Sequence, residues 1–72
     1  MSPHPHPLMA QLRELRLDAN RSQATIASRI GVSRYTVTQW ETGRRSPRIP
    51  DVVAYASALG YTISLTKDGE PS

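Results

Sequence analysis

The sequence predicts a mainly α-helical domain of four to five short helices, closed by a brief C-terminal β-strand. Apolar residues recur at spacings of three and four through Leu8–Ala19, Gln23–Gly43 and Pro50–Leu59, the period of helices buried on one face. Residues suited to helix ends separate these stretches: Asn20, Gly31, Gly43 and Gly60. From Tyr61 to Thr66 the period changes to two and β-branched residues dominate, which is a strand pattern.

At 72 residues the chain holds one small domain. Such a chain buries only about 60% of its unfolded surface, so its stability is marginal without some staple. It has no cysteine, which removes disulfides and thiolate metal sites and leaves oligomerisation as the common remaining device. No apolar run approaches the ~20 residues of a membrane span. The start has Pro and His where a signal peptide has a basic stretch and an apolar core. A cytoplasmic protein without membrane contact is the expectation.

Met1–Pro7 alternates His and Pro and is expected to be a disordered arm. Two histidines on such an arm lack the convergence of a metal site, and the arm has no arginine with which to read a minor groove. In the first helix, Leu8, Leu12, Leu15 and Ala19 form one buried stripe, with Arg13, Glu14 and Asp18 toward water. Asn20 is the expected left-handed terminator.

Gln23–Gly43 reads as two short helices around a tight turn. Ser22 is the expected N-cap of the first, and Ile26, Ala27 and Ile30 share one face. Ala27 is small enough for two helices to cross closely. Gly31 supplies the left-handed turn, and Ser33 caps the next helix. Val37 and Trp40 bury its inner edge. Arg34, Tyr35, Thr38 and Gln39 then face outward, with Thr42 a further candidate. This is a helix-turn-helix with a polar outer face.

Charge follows the same segment. Arg21 to Arg48 holds six arginines against one acid, Glu41, a balance of +5, whereas the remainder of the chain balances to −2. An ordinary solvated surface explains charge alone, but on a helix-turn-helix it is the footprint of a polyanion-binding face. Arg44, Arg45 and Arg48, in the loop after Gly43, suit phosphate contacts, and Arg48 also suits a minor groove. Eight arginines to one lysine is compatible with bidentate contacts, and equally with a bias in genomic base composition.

Pro50–Leu59 is the fourth helix, with Val52, Val53, Ala56 and Leu59 inward and Ile49 folding back on Val53 as a staple. Tyr55 and Ala58 either complete the core or face a partner. A strand over 61–66 has no partner strand in the chain. Pairing with the same strand of a second copy answers that, with Tyr61, Ile63 and Leu65 as dimerisation residues. A missing neighbour strand in a truncated chain is the rival explanation. Residues 67–72 are expected to be a flexible tail.

The chain resembles the Cro/repressor family, the Xre-type or lambda-repressor-like helix-turn-helix proteins. The resemblance is carried by Ser22-Gln23, Ile26-Ala27, Ile30-Gly31-Val32-Ser33, Val37 and Trp40-Glu41-Thr42-Gly43, continuing into Pro47 and Ala58-Leu59-Gly60. It spans Leu8 to Leu65 and implies a helix-turn-helix domain over 8–60. It implies that Arg34, Tyr35, Thr38 and Gln39 reach base edges, that Gln23 anchors to the DNA backbone, and that Arg16 pairs with Glu41. Arg21 departs from the family's usual apolar residue; its stem can cover the same surface while its guanidinium reaches a phosphate. Ser22 and Ser33, at the helix starts, join Arg21, Gln23 and the loop arginines as expected phosphate-binding residues. Arg34 suits guanine and Gln39 adenine. Thr38 can set its methyl against thymine. Many relatives end in a fifth helix where this chain has the period-two tail.

The function expected is a sequence-specific double-stranded DNA-binding regulator, a repressor acting as a homodimer on a palindromic operator. The alternative from another class is an antitoxin that binds a toxin protein and its own operator. An enzyme is not expected, since both histidines lie in the arm and the acids are scattered. No metal and no cofactor are implied.

Overall fold

The computed structural model describes residues 4–65. Four helices follow in order: α1 (Pro7–Asp18), α2 (Gln23–Ile30), α3 (Arg34–Glu41) and α4 (Ile49–Ala58). Both α2 and α3 are only 8 residues long. Isolated helices of that length do not persist in water, so caps and packing must hold them.

The caps are a repeated device. Ser22 Oγ accepts the Thr25 backbone N–H at 3.0 Å, and Ser33 Oγ accepts that of Thr36 at 3.1 Å. In both, the serine and threonine hydroxyls also bond each other, at 2.9 Å. Each such cap contributes about 1 kcal/mol. Between the two helices, Gly31 takes φ +79°, and its N–H and that of Val32 both reach the Ala27 carbonyl, at 2.9 and 3.0 Å. That turns the chain sharply enough for α3 to cross α2. Asn20, in the connection from α1 to α2, takes φ 56°, as expected of it.

The core sits where the four helices meet. It comprises Met9, Leu12, Ile26, Ala27, Val37, Trp40, Tyr55 and Ala56, with Leu8, Leu15, Ile30, Val32, Val52, Leu59 and Ile63 packed around it. Full burial of a side chain such as Ile26 or Val37 contributes about 1.5–3 kcal/mol. Ala27 is buried in this core, so a larger side chain there would have to displace its neighbours. Among the described residues, no helix is long and apolar enough to cross a membrane.

Several expectations are corrected. In α1 the buried stripe is Met9, Leu12 and Arg16, with Leu8 and Leu15 at its margin and Ala19 exposed. The helix starts one residue earlier than the pattern suggested, because a proline is tolerated at the first helical position. The buried face of α1 is the one that α3 and α4 cover, and it is centred on Met9, Leu12 and Arg16. Ile49 does not staple onto Val53: it is 80% exposed and lies inside α4. Within the single chain residues 61–65 pair with no other segment, so the strand expected between two copies stands as a proposal, and Thr66 lies outside the described residues. A strand needs a partner for its backbone groups, and the described chain offers none. Instead Ile63 packs on the helical core while Leu65 is fully exposed. The expected tail over 67–72 is also outside the described residues, as are residues 1–3 of the arm. His4–His6 are described and do not form a free arm: His6 Nδ1 accepts the Leu8 N–H at 3.1 Å, capping α1.

A Cβ at Gly31 would meet nothing within 4 Å, so the cost of replacing this glycine is purely conformational. Gly31→Ala is expected to destabilise the fold by about 1–2 kcal/mol. Gly31→Asn should recover part of the loss, because asparagine tolerates the left-handed region. Urea unfolding of the two variants checks this.

Candidate nucleic-acid interface

The site begins with an internal polar hub that fixes where α3 lies. Glu41 is 4% exposed, and its carboxylate accepts four hydrogen bonds. Arg16 of α1 donates from Nε to Oε2 and from Nη2 to Oε1, both at 2.8 Å. Gln23 of α2 donates to Oε1 at 3.0 Å, and Tyr55 of α4 donates its hydroxyl to Oε2 at 2.5 Å. Arg16 also gives Nη1 to the Arg21 carbonyl at 2.8 Å, tying down the α1–α2 connection. Every helix thus contributes to one carboxylate. Among the described residues, no buried side-chain nitrogen or oxygen lacks a partner.

The protonation states follow from these contacts. Burial pushes the Glu41 carboxyl up most strongly of any single cause, but hydrogen bonds from Arg16, Tyr55 and Gln23 outweigh it and leave it below the ordinary glutamate value. The Arg16 guanidinium is raised, chiefly by its hydrogen bond to Glu41. Burial, with the neighbouring carboxylate, pushes the Tyr55 phenol well up. Charged Glu41 and Arg16 with neutral Tyr55 is therefore the state of the hub over the ordinary pH range.

On the outer side of α3, Arg34 is exposed and Tyr35 is 70% exposed, while Gln39 is half-buried. Thr38, at the centre of this side, donates its hydroxyl to Gln23 Oε1 at 2.9 Å, and also lies 3.1 Å from the Arg34 carbonyl. Gln23 is consequently held at both ends of its amide, by Thr38 and by Glu41. The two residues form a fixed polar floor beside the free side chains of Arg34 and Tyr35. Thr42 is exposed, and its hydroxyl returns to the Thr38 carbonyl at 2.8 Å.

The remaining expected residues divide by what already engages them. Ser22 and Ser33 hold their caps at the starts of α2 and α3. Arg21, Arg44, Arg45 and Arg48 are exposed. The loop after α3 folds back through the Arg44 and Arg45 N–H groups onto the Gln39 carbonyl, at 3.0 and 3.2 Å. Arg45 and Arg48 line a shallow depression with Val32, Thr36, Trp40 and Asp51. Arg29 is not free: it donates to the Ala58 carbonyl at 3.1 Å, satisfying the end of α4. Tyr61 and Leu65 are exposed, whereas Ile63 turns inward. Trp40 and Val37 are buried as expected, and the Arg16–Glu41 pair is present.

Sequence reasoning missed Thr25 and Thr36 as cap partners, although the repeated Ser-x-x-Thr spacing signalled them. It also missed Tyr55 as a donor to Glu41, for which no local signal exists.

The comparisons accord with this geometry. Residues 8–67 match the family model described as a helix-turn-helix domain. The chain belongs to the Cro/repressor-type helix-turn-helix family. As a member, it is a DNA-binding regulator of transcription. Among solved structures it is similar to the restriction-modification controller protein C.AhdI from Aeromonas hydrophila, at 33% sequence identity and a TM-score of 0.70. The likeness covers 75% of this chain and 82% of the controller protein. No curated protein matches the chain by sequence.

Glu41 is lowered in the fold, so its stabilisation is complete above the ordinary glutamate pKa and is lost as pH falls through its lower folded value. Urea midpoints should therefore decline on acidification below the ordinary glutamate range, and this part of the decline should be absent in Glu41→Gln. Glu41→Ala leaves a buried, unpaired Arg16 and is expected to cost about 3–5 kcal/mol, measured by the same unfolding experiment.

Proposed function

We propose that this regulator binds a specific double-stranded DNA operator through the outer side of α3, and that two copies bind a palindrome as a homodimer. The observation that carries the reading is the exposure of Arg34 and Tyr35, with Gln39 beside them, on a helix whose inner side is locked by the core and the Glu41 hub. Side chains free to move, on a helix that is not, suit base recognition in a major groove. Arg34 and Gln39 are the leading base-reading residues, with Tyr35 and Thr38 beside them. The Gln23–Thr38 bond supports a shared role for this pair, Gln23 offering its remaining N–H to a phosphate next to the Thr38 methyl.

Arg21, Arg44, Arg45 and Arg48 supply phosphate contacts, which position the protein without reading sequence. The starts of α2 and α3 at Ser22 and Ser33 add backbone N–H groups pointing at the same polyanion. Tyr61 and Leu65, exposed and apolar, support the C-terminal segment as the dimer contact; Ile63 is half-buried within its own domain and contributes less. In a dimer the two α3 helices would enter successive major grooves ~34 Å apart. Repression by occluding a promoter is the simplest consequence of such binding. The likeness to a restriction-modification controller protein supports a regulatory role. No observation favours the toxin-binding alternative.

Selection of bound DNA from a random pool at fixed salt is expected to return a palindrome with one half-site spacing. Unrelated sequences would refute specific recognition. Arg34→Ala is expected to cost about 1–3 kcal/mol at one half-site position and to relax base preference there. Replacing both Arg44 and Arg45 by alanine should weaken binding to all sequences and flatten the salt dependence by about 0.9 for each phosphate left without its arginine, read from binding titrations across salt.

A further inference from the structure

The sequence pattern gives Met1–Pro7 no part in the domain, yet its described portion lies against the end of α3. Gly43 sits there at φ +77°. A Cβ on it would collide with the carbonyl carbon and oxygen of His4 and fall 2.6 Å from the Pro5 nitrogen. All three are backbone atoms, which cannot swing aside as the tip of a side chain can. Gly31 and Gly60 share the positive φ of Gly43, but a Cβ at either would meet nothing within 4 Å. Gly43 is therefore required twice, once by its own conformation and once by the passing chain.

The C-terminal end of this segment is also held. His6 caps α1 through its ring nitrogen, and Pro7 begins α1, where its missing N–H costs nothing. Pro5, at the crossing point, restricts the unfolded chain and so reduces the entropy lost on docking. His4 and His6 line an apolar depression with Leu8, Trp40, Pro47 and Ile63, so the segment covers part of the core on the side where the basic loop leaves α3. That loop has few ties of its own. Its Arg44 and Arg45 N–H groups share one carbonyl, that of Gln39, and its far end is held where the Asp51 carboxylate accepts the Arg48 N–H at 3.2 Å.

We propose that His4–His6 is a strap that positions the basic loop. It packs on Gly43 and joins the start of α1 to the exit of α3, so that Arg44, Arg45 and Arg48 are presented to phosphates from a fixed backbone. The inference rests on the phosphate-contacting role given to that loop above. The arm does not itself touch DNA; it acts through the loop, with Gly43 as the residue that admits it.

The test is a double-mutant cycle on the full chain. One arm replaces His4 and Pro5 by glycine to slacken the strap. The other is Gly43→Asn, which tolerates the left-handed conformation but adds the obstructing Cβ. Each is expected to weaken binding to the selected operator roughly three- to tenfold, and the combination to be no weaker than the worse single variant, because both release the same segment. The salt slope should flatten in each, measured where the protein remains folded, a change that loss of stability alone would not produce. Additive losses in affinity, or a slackened strap that leaves both affinity and slope unchanged, would overturn the proposal. The same cycle on thermal unfolding without DNA reports the packing of strap on loop separately. Coupled melting temperatures with unchanged DNA binding would reject the positioning role while leaving the packing. If the unmodified chain selected no operator, the failure would belong to the DNA-binding reading, and the salt slope of binding to unselected duplex DNA would test the strap: a slope flattened in each variant supports the positioning role, and an unchanged slope overturns it.

Discussion

Glu41 closes α3 with its carboxylate withdrawn from water and four donors directed at it, from α1, α2 and α4. Removing a carboxylate from water costs several kcal/mol even after relaxation, so the arrangement survives only because every lone pair finds a donor. Arg16 provides the paired fork that a planar guanidinium alone can offer. Such a hub is weak evidence for net stability; its effect is on geometry. Any displacement of α3 relative to the other helices would strand a buried charge, so the helix has one acceptable position.

That restriction matters because α2 and α3 are too short to hold themselves. Apolar packing brings them together, but packing among Ile26, Ala27, Val37 and Trp40 is non-directional and tolerates small slides. The hub does not tolerate them, and neither do the serine caps, which each specify the first turn of a helix. Together they define both ends of α3. The outer side chains then divide sharply. Thr38 and Gln23 are drawn into the hub's periphery, whereas Arg34 and Tyr35 keep their freedom. A helix fixed on one side and adaptable on the other is suited to recognising a surface whose details vary from base to base.

Local features of the sequence were legible because local physics controls them. The Gly31 turn, the caps at Ser22 and Ser33, and the left-handed Asn20 each depend on residues within four positions, and all three occur. The Arg16–Glu41 pair, 25 residues apart, was legible only through family resemblance. Tyr55 was not legible as a polar participant, since an aromatic residue on an apolar stripe gives no sign of where its hydroxyl ends. Met9 is buried and Ala19 is not, because Ala19 lies past the last turn of α1 as its C-cap and the face that the other helices cover is decided by how they pack.

The sequence by itself determined the helices, the sharp turn between α2 and α3, the concentration of arginine around them and the family. Periodicity, glycine conformation and charge act through near neighbours and need no knowledge of the fold. Only the tertiary structure decided which polar groups would be spent internally and which left outward, because that depends on which helices meet. It set Arg29 against the end of α4 and left Arg34 free. It also turned the histidine-proline stretch from an apparent loose end into a segment packed on Gly43. Left to itself, the period-two pattern at 61–65 did not make a strand, because a strand's hydrogen bonds are satisfied by another chain segment and never by its own.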